Sequence, residues 1–222
     1  MMNKPLCILL AAAILAMVPS CTPDETDRVA IAYRHVKPAW GGHFGKPVFI
    51  RIVKEKRELE LHVKEKDEKS WRLLKTYPIA GMSGTLGPKQ AEGDFQAPEG
   101  FYEVYPNALN PRSNHWLAFN VGYPNGYDRS LGRTGSYIMV HGGDSSVGCF
   151  AITDPAIEEV YTMVDQALKA GQRCVPVQIY PFEMTPQRMR QEQDSPHIEF
   201  WRYLQPGWQF THTRHAPFQP EG

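Results

Sequence analysis

The stretch His141-Gly142-Gly143-Asp144-Ser145-Ser146-Val147-Gly148-Cys149 places a histidine and a cysteine at the two ends of one short, glycine-rich loop. A cysteine attacks as its thiolate, and a neighbouring imidazole is a common means of removing the thiol proton. A Ser-x-Gly-Cys turn also exposes backbone N–H groups beside the sulfur, as an oxyanion site requires. The stretch therefore predicts Cys149 as nucleophile, His141 as general base and acid, and the backbone N–H groups of Gly148 and Cys149 as oxyanion donors.

The segments on either side of this loop predict regular structure. Residues 137–141 read Tyr-Ile-Met-Val-His, which is typical of a strand that ends at the histidine. Asp154-Pro155 begins a helix with proline at its first position, and Gly171 ends it. The loop therefore joins two rigid elements, where positioned catalytic groups are often found.

The rest of the chain predicts a domain that opens with a β-meander. Leu59, Leu61 and Val63 alternate with polar residues, which indicates a half-buried strand and puts His62 on its solvent face. The long connection Gly81–Gly100 lacks the spacing of a phosphate loop, and loops of that length are usually functional or disordered. We predict strands at residues 47–53, 59–63, 71–80, 101–105, 115–121 and 175–180.

Two further segments are predicted from turn signals. The aromatic loop at residues 123–128 could line a cleft, and Tyr123 and Tyr127 are its candidate substrate contacts. After residue 181, Thr185-Pro186 and Ser195-Pro196 each predict a helix start, and the second helix is predicted to end at Pro206-Gly207.

The N-terminus has the features of an export signal. Residues 1–20 combine Lys4 with an apolar run, which predicts a cleaved signal peptide and an exported, periplasmic or cell-envelope protein. Cys21 follows a sequence that loosely resembles a lipobox, so both a lipid anchor at Cys21 and simple cleavage before it stay open. Residues 21–46, rich in proline, glycine and mixed charge, are predicted to be an irregular linker.

Composition excludes several functions. Lys+Arg and Asp+Glu are balanced at 24 each, so no basic surface indicates nucleic acid as a partner. The chain has 4 cysteines and no C-x-x-C motif, although a Cys149–Cys174 disulfide would be possible in an oxidising compartment. His212 and His215 have no acidic or cysteine partner nearby, so we expect no metal site, and the proposed chemistry requires no cofactor.

With Ala97-Pro-Glu-Gly-Phe-Tyr102 added to the His-Gly and Ser-x-Gly-Cys elements, the chain resembles the YkuD-type L,D-transpeptidase family. The resemblance implies a mainly β fold with α (α+β), namely a β-sandwich or barrel-like catalytic domain at 47–181 and a helical extension and tail at 182–222. It implies a Cys–His enzyme acting on peptidoglycan stem peptides, with Ser146 and Gly142 as substrate contacts.

Within that family the chain is most similar to the YafK-like branch. The shared features are Gly84–Gln90, the Pro-Asn-x-Tyr-Asp run at 124–128 and the helical extension. That branch implies an amidase that releases a covalently attached lipoprotein from peptidoglycan. Most transpeptidases of the family have a histidine where this chain has Val147 and an arginine where it has Ala151. These departures favour hydrolysis, while true transpeptidation and a catalytically idle peptidoglycan-binding module remain the alternatives.

Overall fold

The computed structural model describes residues 25–65, 71–214 and 216–220. The predicted signal peptide, Cys21 and His215 lie outside these residues. The helices are α1 (Glu25–Trp40), α2 (Gly126–Ser130), α3 (Asp154–Lys169), α4 (Pro186–Gln191) and α5 (Ile198–Arg214). The strands are β1 (Val48–Val53), β2 (Glu58–Lys64), β3 (Trp71–Pro78), β4 (Gly100–Val104), β5 (Leu109–Asn110), β6 (Ala118–Asn120), β7 (Met139–His141), β8 (Phe150–Ala151) and β9 (Val175–Tyr180).

The larger sheet has five strands in the order β3-β2-β1-β9-β4. The first three strands form the predicted antiparallel meander, and β9 returns parallel to β1 and antiparallel to β4. The Val- and Ile-rich strands β1 and β9 lie at its centre, where both faces are covered and continuous apolar runs are favoured. The predicted α+β class is therefore confirmed, with helices packed on a mixed sheet.

His62 does not lie on the solvent face of β2 as predicted. Its ring stacks on Phe49 with centroids 4.3 Å apart, and its Nε2 lies 2.9 Å from Glu60 Oε2. Only 7% of the residue is exposed. The prediction was wrong because β2 is covered on both faces, so its alternating pattern does not distinguish a buried face from a solvent-exposed one.

A second sheet, in the order β5-β6-β7-β8, carries the His–Cys loop. β7 and β8 are parallel neighbours, with His141 paired to Ala151 and Val140 paired to Phe150. His141 is the last residue of β7, and Cys149 immediately precedes β8. Parallel pairing of such short strands therefore brings the two ends of the loop side by side.

The N-terminal segment is helical, which corrects the prediction of an irregular linker. Ala32 and Val36 of α1 are buried, with Val29 partly buried beside them. This spacing forms one apolar helix face, which packs against the core and α3. The Nδ1 atom of His35 lies 2.8 Å from Glu158 Oε2 of α3 and adds a polar contact at the edge.

The C-terminal extension forms a second hydrophobic cluster with Val53 of β1, Phe101 of β4 and Tyr180 of β9. Helix α5 continues through Pro206 to Arg214, so the predicted end at Pro206-Gly207 is wrong. Trp208 packs edge-on against Tyr180, and Thr211 donates a hydrogen bond to Gln178 of β9 at 2.9 Å. These buried contacts offset the hydrogen bond that a proline removes from a helix.

Among the described helices, none has both the length and the hydropathy needed to cross a bilayer.

Candidate active site

His141 is held in one tautomer by its neighbour's backbone. Its Nδ1 lies 2.6 Å from the carbonyl oxygen of Gly142, which can only accept, so Nδ1 carries the proton and Nε2 is left as a base. The residue is 4% exposed, and burial is the main cause that lowers its pKa below 6.5. The proximity of His115 lowers this pKa further, so the imidazole is neutral at pH 7.

Cys149 is a free, half-buried thiol that lines one surface cavity together with His141. Its sulfur accepts a hydrogen bond from the Met139 N–H at 3.3 Å and donates one to the Tyr137 carbonyl at 3.5 Å. Burial raises the pKa of Cys149 above 9, although the Met139 N–H, Ser146 and the charge of Lys89 act in the opposite direction. At rest the pair is therefore a neutral thiol and a neutral imidazole, and attack requires proton removal by a base.

Ser146 contacts both members of this pair. Its Oγ lies 3.3 Å from Nε2 of His141, and its hydrogen bond to Cys149 lowers the pKa of the thiol. A hydroxyl can donate and accept at once, so it can pass a proton between sulfur and imidazole. The sequence predicted Ser146 as a substrate contact, and its position in the cavity wall also permits that role.

Gly142 supports the site from behind rather than lining it. The residue is buried, and its N–H donates to the carbonyl oxygens of His115 and Leu117 at 3.1 and 3.2 Å. A Cβ atom there would lie 2.3 Å from Asp154 Oδ1 and 2.6 Å from the His115 carbonyl oxygen. This placement corrects the prediction that Gly142 contacts substrate; its carbonyl instead orients His141.

The backbone N–H of Gly148 is already engaged, which corrects its prediction as an oxyanion donor. It donates to Oγ of Ser83 at 2.8 Å, and Ser83 in turn donates to the Phe95 carbonyl at 2.6 Å. The residue adopts a φ of 77°, a left-handed conformation that favours glycine. The N–H of Cys149 itself remains the candidate donor beside the sulfur.

The Gly81–Gly100 connection is an ordered loop held by a buried ion pair. Lys54 Nζ donates to Glu99 Oε1 at 2.9 Å and to the carbonyl oxygens of Gly87 and Ala97 at 2.8 and 2.9 Å. Glu99 also accepts from the indole N–H of Trp201 in α5 at 2.8 Å. The loop that carries Ser83 to the nucleophile is thus fixed both to the residue that follows β1 and to the C-terminal extension.

A cavity of about 410 Å³ opens over the two catalytic candidates. Its wall includes Arg112 and His115, which sequence reasoning did not select. The His115 ring lies 4.5 Å from the His141 ring, centroid to centroid. No local pattern identifies these residues, since they lie in an irregular segment between β5 and β6. The lining residues are Asn110, Arg112, Ser113, Asn114, His115, Ala118, Tyr137, Met139, His141, Ser145, Ser146, Val147 and Cys149.

Tyr123 and Tyr127 do not line this cavity, so their role as substrate contacts stays a prediction. Tyr123 is 4% exposed, and its hydroxyl donates to carbonyl oxygens of the neighbouring loops. Tyr127 stacks on Tyr203 of α5 with centroids 4.2 Å apart. Both rings are occupied by packing, and α2 forms where the sequence predicted only a loop.

The second thiol is separate from the site. Cys149 and Cys174 are both free, so the disulfide left open by the sequence is not formed. Cys174 Sγ lies 3.3 Å from Glu103 Oε1, and burial is the main cause that raises its pKa to about 11. Among the described residues, no three His, Cys, Asp or Glu side chains gather in a metal-binding arrangement.

Comparison with known proteins gives a relative that matches most of the chain. This relative is YafK of Escherichia coli (strain K12), a protein named as an L,D-transpeptidase. It is 47% identical over 174 residues, which cover 78% of this chain and 70% of that protein. The same protein of Escherichia coli O157:H7 gives the same figures.

Solved structures give weaker matches. The helical cell shape determining protein Pgp2 of Campylobacter jejuni is 21% identical with a TM-score of 0.45, covering 72% of this chain and 56% of that one. Bd1075 of Bdellovibrio bacteriovorus is 23% identical with a TM-score of 0.42, covering 72% and 58%. This chain spans little more than half of those structures, and no argument about the site rests on them.

A family profile gives the assignment. The YkuD profile, described as the L,D-transpeptidase catalytic domain, matches residues 47–179, which run from the start of β1 almost to the end of β9. With the 47% identical relative, this match shows that the chain belongs to the YkuD family of L,D-transpeptidase catalytic domains.

Proposed function

We propose that this protein is a cysteine amidase that hydrolyses the amide bond between diaminopimelate of a peptidoglycan stem peptide and a covalently attached lipoprotein. The observation that carries the proposal is the shared cavity of Cys149, Ser146 and His141 in a chain of this family. Val147 and Ala151 stand where most transpeptidases of the family have a histidine and an arginine, and this departure favours amide hydrolysis over transpeptidation.

The reaction begins with proton removal from the thiol. His141 Nε2 takes the proton of Cys149, directly or through the Ser146 hydroxyl, and the sulfur attacks the amide carbon. The imidazolium then gives its proton to the leaving amine as the C–N bond breaks and a thioester forms. Water, deprotonated by His141, attacks the thioester, and the thiol leaves with that proton.

Negative charge on the attacked oxygen needs a donor in both steps. The Cys149 N–H is our candidate, because the Gly148 N–H is bonded to Ser83. A lost oxyanion donor typically costs about 3–4 kcal/mol of transition-state stabilisation. The Met139 N–H holds the sulfur itself, at 3.3 Å, and stabilises the thiolate as it forms.

Transfer to an amine, which would crosslink stems or attach a lipoprotein, is the second candidate. The same thioester serves both reactions, and access of water or an amine to the cavity selects between them. Tyr137, 77% exposed, and Val147, 65% exposed, form an apolar part of the cavity wall where an acceptor chain could lie. An idle peptidoglycan-binding module of this fold is the third candidate.

One product assay separates the three candidates. Purified protein is incubated with muropeptides carrying a lipoprotein-derived peptide on diaminopimelate, and products are resolved by mass. Hydrolysis gives a freed peptide and an unmodified stem, whereas transfer gives dimers or amine adducts. We expect hydrolysis by the wild type and by Cys174→Ser, and none by Cys149→Ala; products from Cys149→Ala would overturn the mechanism, and no products from any of these proteins would support the binding module.

The subcellular location follows from the same proposal. We propose that the chain is exported to the periplasm or cell envelope, where its substrate lies, and that Cys21 is the first mature residue, either acylated as a lipid anchor or left unmodified after simple cleavage. Mass analysis of the mature N-terminus from an envelope fraction decides between these, since acylation adds the mass of the lipid to Cys21.

A further inference from the structure

Helix α1 lies ahead of the residues that match the family profile, yet it contacts the wall of the active-site cavity. The profile begins at residue 47, whereas α1 ends at Trp40. From this helix, Arg28 donates to the carbonyl oxygens of Ser113 and Trp116 at 2.8 and 3.1 Å. Its guanidinium also lies over the Trp116 ring, 5.5 Å from the centroid. These charge-assisted and cation–π contacts fix both ends of the turn at residues 113–116.

Trp116 is held from a second side by α3. Its indole N–H donates to Glu158 Oε1 at 2.9 Å, and Glu158 Oε2 lies 2.8 Å from Nδ1 of His35 in α1. Trp116 adopts a φ of 67°, a left-handed conformation that is an outlier for a bulky residue. Such a conformation persists only where surrounding contacts enforce it. Arg28 and Glu158 supply those contacts, and we call the three side chains of Arg28, Trp116 and Glu158 the Trp116 clamp.

The clamp sets the position of His115, the residue directly before Trp116. His115 is exposed at the cavity wall, so burial does not fix its ring, and its place depends on the backbone that carries it. Its N–H donates to Ser113 Oγ at 3.0 Å, and its carbonyl oxygen accepts from the Gly142 N–H at 3.1 Å. Its ring lies 4.5 Å from the His141 ring, centroid to centroid. A chain of contacts therefore runs from α1 to the proposed base.

We propose that Arg28 is a positioning residue of the active site, which through the Trp116 clamp holds His115 against the ring of His141. Arg28 does not line the cavity, so it acts on the reaction through these neighbours. A ring covered on one face has less freedom to turn, and Nε2 of His141 stays directed at Ser146 Oγ, 3.3 Å away. The inference rests on the proposed use of His141 as the base, and it makes α1 part of the working site.

An NMR titration of the His141 ring tests the clamp without requiring turnover. His115 lowers the pKa of His141, so displacement of His115 should raise that pKa toward 6.5. We expect Arg28→Gln to raise it as far as His115→Gln does, and to lower kcat by roughly tenfold with little change in KM. Arg28→Lys keeps a charged donor and should restore part of both properties.

A variant of opposite charge separates position from electrostatics. Arg28→Gln removes a positive charge, and this alone would raise the pKa of a nearby histidine. Glu158→Ala removes a negative charge, and this alone would lower that pKa. Both variants release Trp116, so an upward shift of the His141 pKa in both of them reports movement of His115 rather than a change of field.

Other ionisable groups also lie near the two histidines. Arg112 and Cys149 line the same cavity, and Asp154 Oδ1 accepts a backbone N–H of the loop that ends at Cys149, at 2.8 Å. The double variant of Arg28→Gln with His115→Gln distinguishes their effect from that of His115. We expect it to shift the pKa no further than either single variant; additive shifts would assign the effect to another group and overturn the inference.

Arg34→Gln is the matched control, since Arg34 is exposed on the same helix, and it should leave the His141 pKa and kcat unchanged. An unmoved pKa in Arg28→Gln, or a shift in Arg28→Gln without one in Glu158→Ala, would overturn the inference and leave the proposed function standing. If Arg28→Gln does not fold, the pKa in Glu158→Ala decides alone: a raised value supports the clamp, and a lowered or unmoved value refutes it. If the wild type hydrolyses no substrate, the proposed function fails, while the titration still decides whether Arg28 positions His115.

Discussion

Ser83 and Gly148, which are 65 residues apart in the chain, are joined by a hydrogen bond from the Gly148 N–H to Ser83 Oγ at 2.8 Å. This bond ties the Gly81–Gly100 loop to the turn that carries the nucleophile. Gly81 also lies against the loop between His141 and Cys149, because a Cβ on Gly81 would be 2.7 Å from both the Asp144 carbonyl oxygen and Ser145 Cα. The nucleophile turn is therefore shaped by a distant segment as well as by its own sequence.

Ser83→Ala tests whether this bond positions the nucleophile. The change leaves the Gly148 N–H without its acceptor, and an unpaired polar group costs about 1–3 kcal/mol where it is buried. We expect urea unfolding to show a loss at the lower end of that range and kcat to fall by roughly tenfold with little change in KM. Ser83→Thr, which keeps the hydroxyl, is the control; higher activity in Ser83→Ala would instead make the released N–H an oxyanion donor.

The pH dependence of the reaction should reflect two neutral groups at rest. His141 has a pKa below 6.5, so the base is present at pH 7 and is lost only as the pH falls through that lowered pKa. We expect the acid limb of kcat/KM to lie below pH 6.5. Alkylation of Cys149 by iodoacetamide should be slow at pH 7 and rise toward and above pH 9, because burial raises the thiol pKa.

His115→Gln tests what lowers the pKa of the His141 base. Removing the neighbouring imidazole removes a repulsion that lowers the pKa of His141, so the acid limb should move upward, toward pH 6.5. The shift should appear in kcat/KM profiles for an uncharged substrate analogue as well, because it belongs to the free enzyme. An unmoved acid limb would show that burial alone sets the pKa.

Gly142→Ala tests the backbone support of the histidine. The new methyl group would meet Asp154 Oδ1 at 2.3 Å and the His115 carbonyl at 2.6 Å, so the strand end must shift. We expect a loss of about 1–3 kcal/mol in unfolding free energy and at least a tenfold fall in kcat. Gly126→Ala, where a Cβ meets nothing within 4 Å, is the control and should retain activity.

The parts of the fold and site predicted from the sequence are those with local signals. The apolar run of β1, the alternating residues of β2 and the Asp154-Pro155 start of α3 are signals between neighbouring positions of the sequence, and the structure has these elements. Cys149 and His141 stand at the ends of one loop, so their proximity follows from the parallel pairing of two flanking strands.

The rest depends on contacts that no local pattern records. The Gly148 N–H donates to Ser83, which lies 65 residues earlier in the chain, and the Tyr127 ring stacks on Tyr203 of α5, so the sequence around each residue does not reveal its partner. Arg112 was missed because one arginine in an irregular segment carries no signal. Its place in the cavity wall is set by folding that joins distant parts of the chain.

The buried Lys54–Glu99 pair gives the last prediction. Both side chains are 0% exposed, and Glu99 bonds both to Lys54, which directly follows β1, and to Trp201 of α5. Lys54→Met removes the counter-charge and leaves Glu99 buried, which typically costs about 3–5 kcal/mol. Urea unfolding followed by tryptophan fluorescence should show this loss, and the Gly81–Gly100 loop should become more sensitive to proteolysis.

The double variant Lys54→Met with Glu99→Gln separates charge from packing. Glutamine removes the buried charge, while its oxygen can still accept from the Gly87 N–H, at 2.7 Å in the wild type. We therefore expect the double variant to be more stable than Lys54→Met alone, since replacing both ions of a buried pair is often close to neutral. Additive losses from the two changes would mean that Lys54 and Glu99 act independently, and the loop would then be held by its backbone contacts rather than by the ion pair.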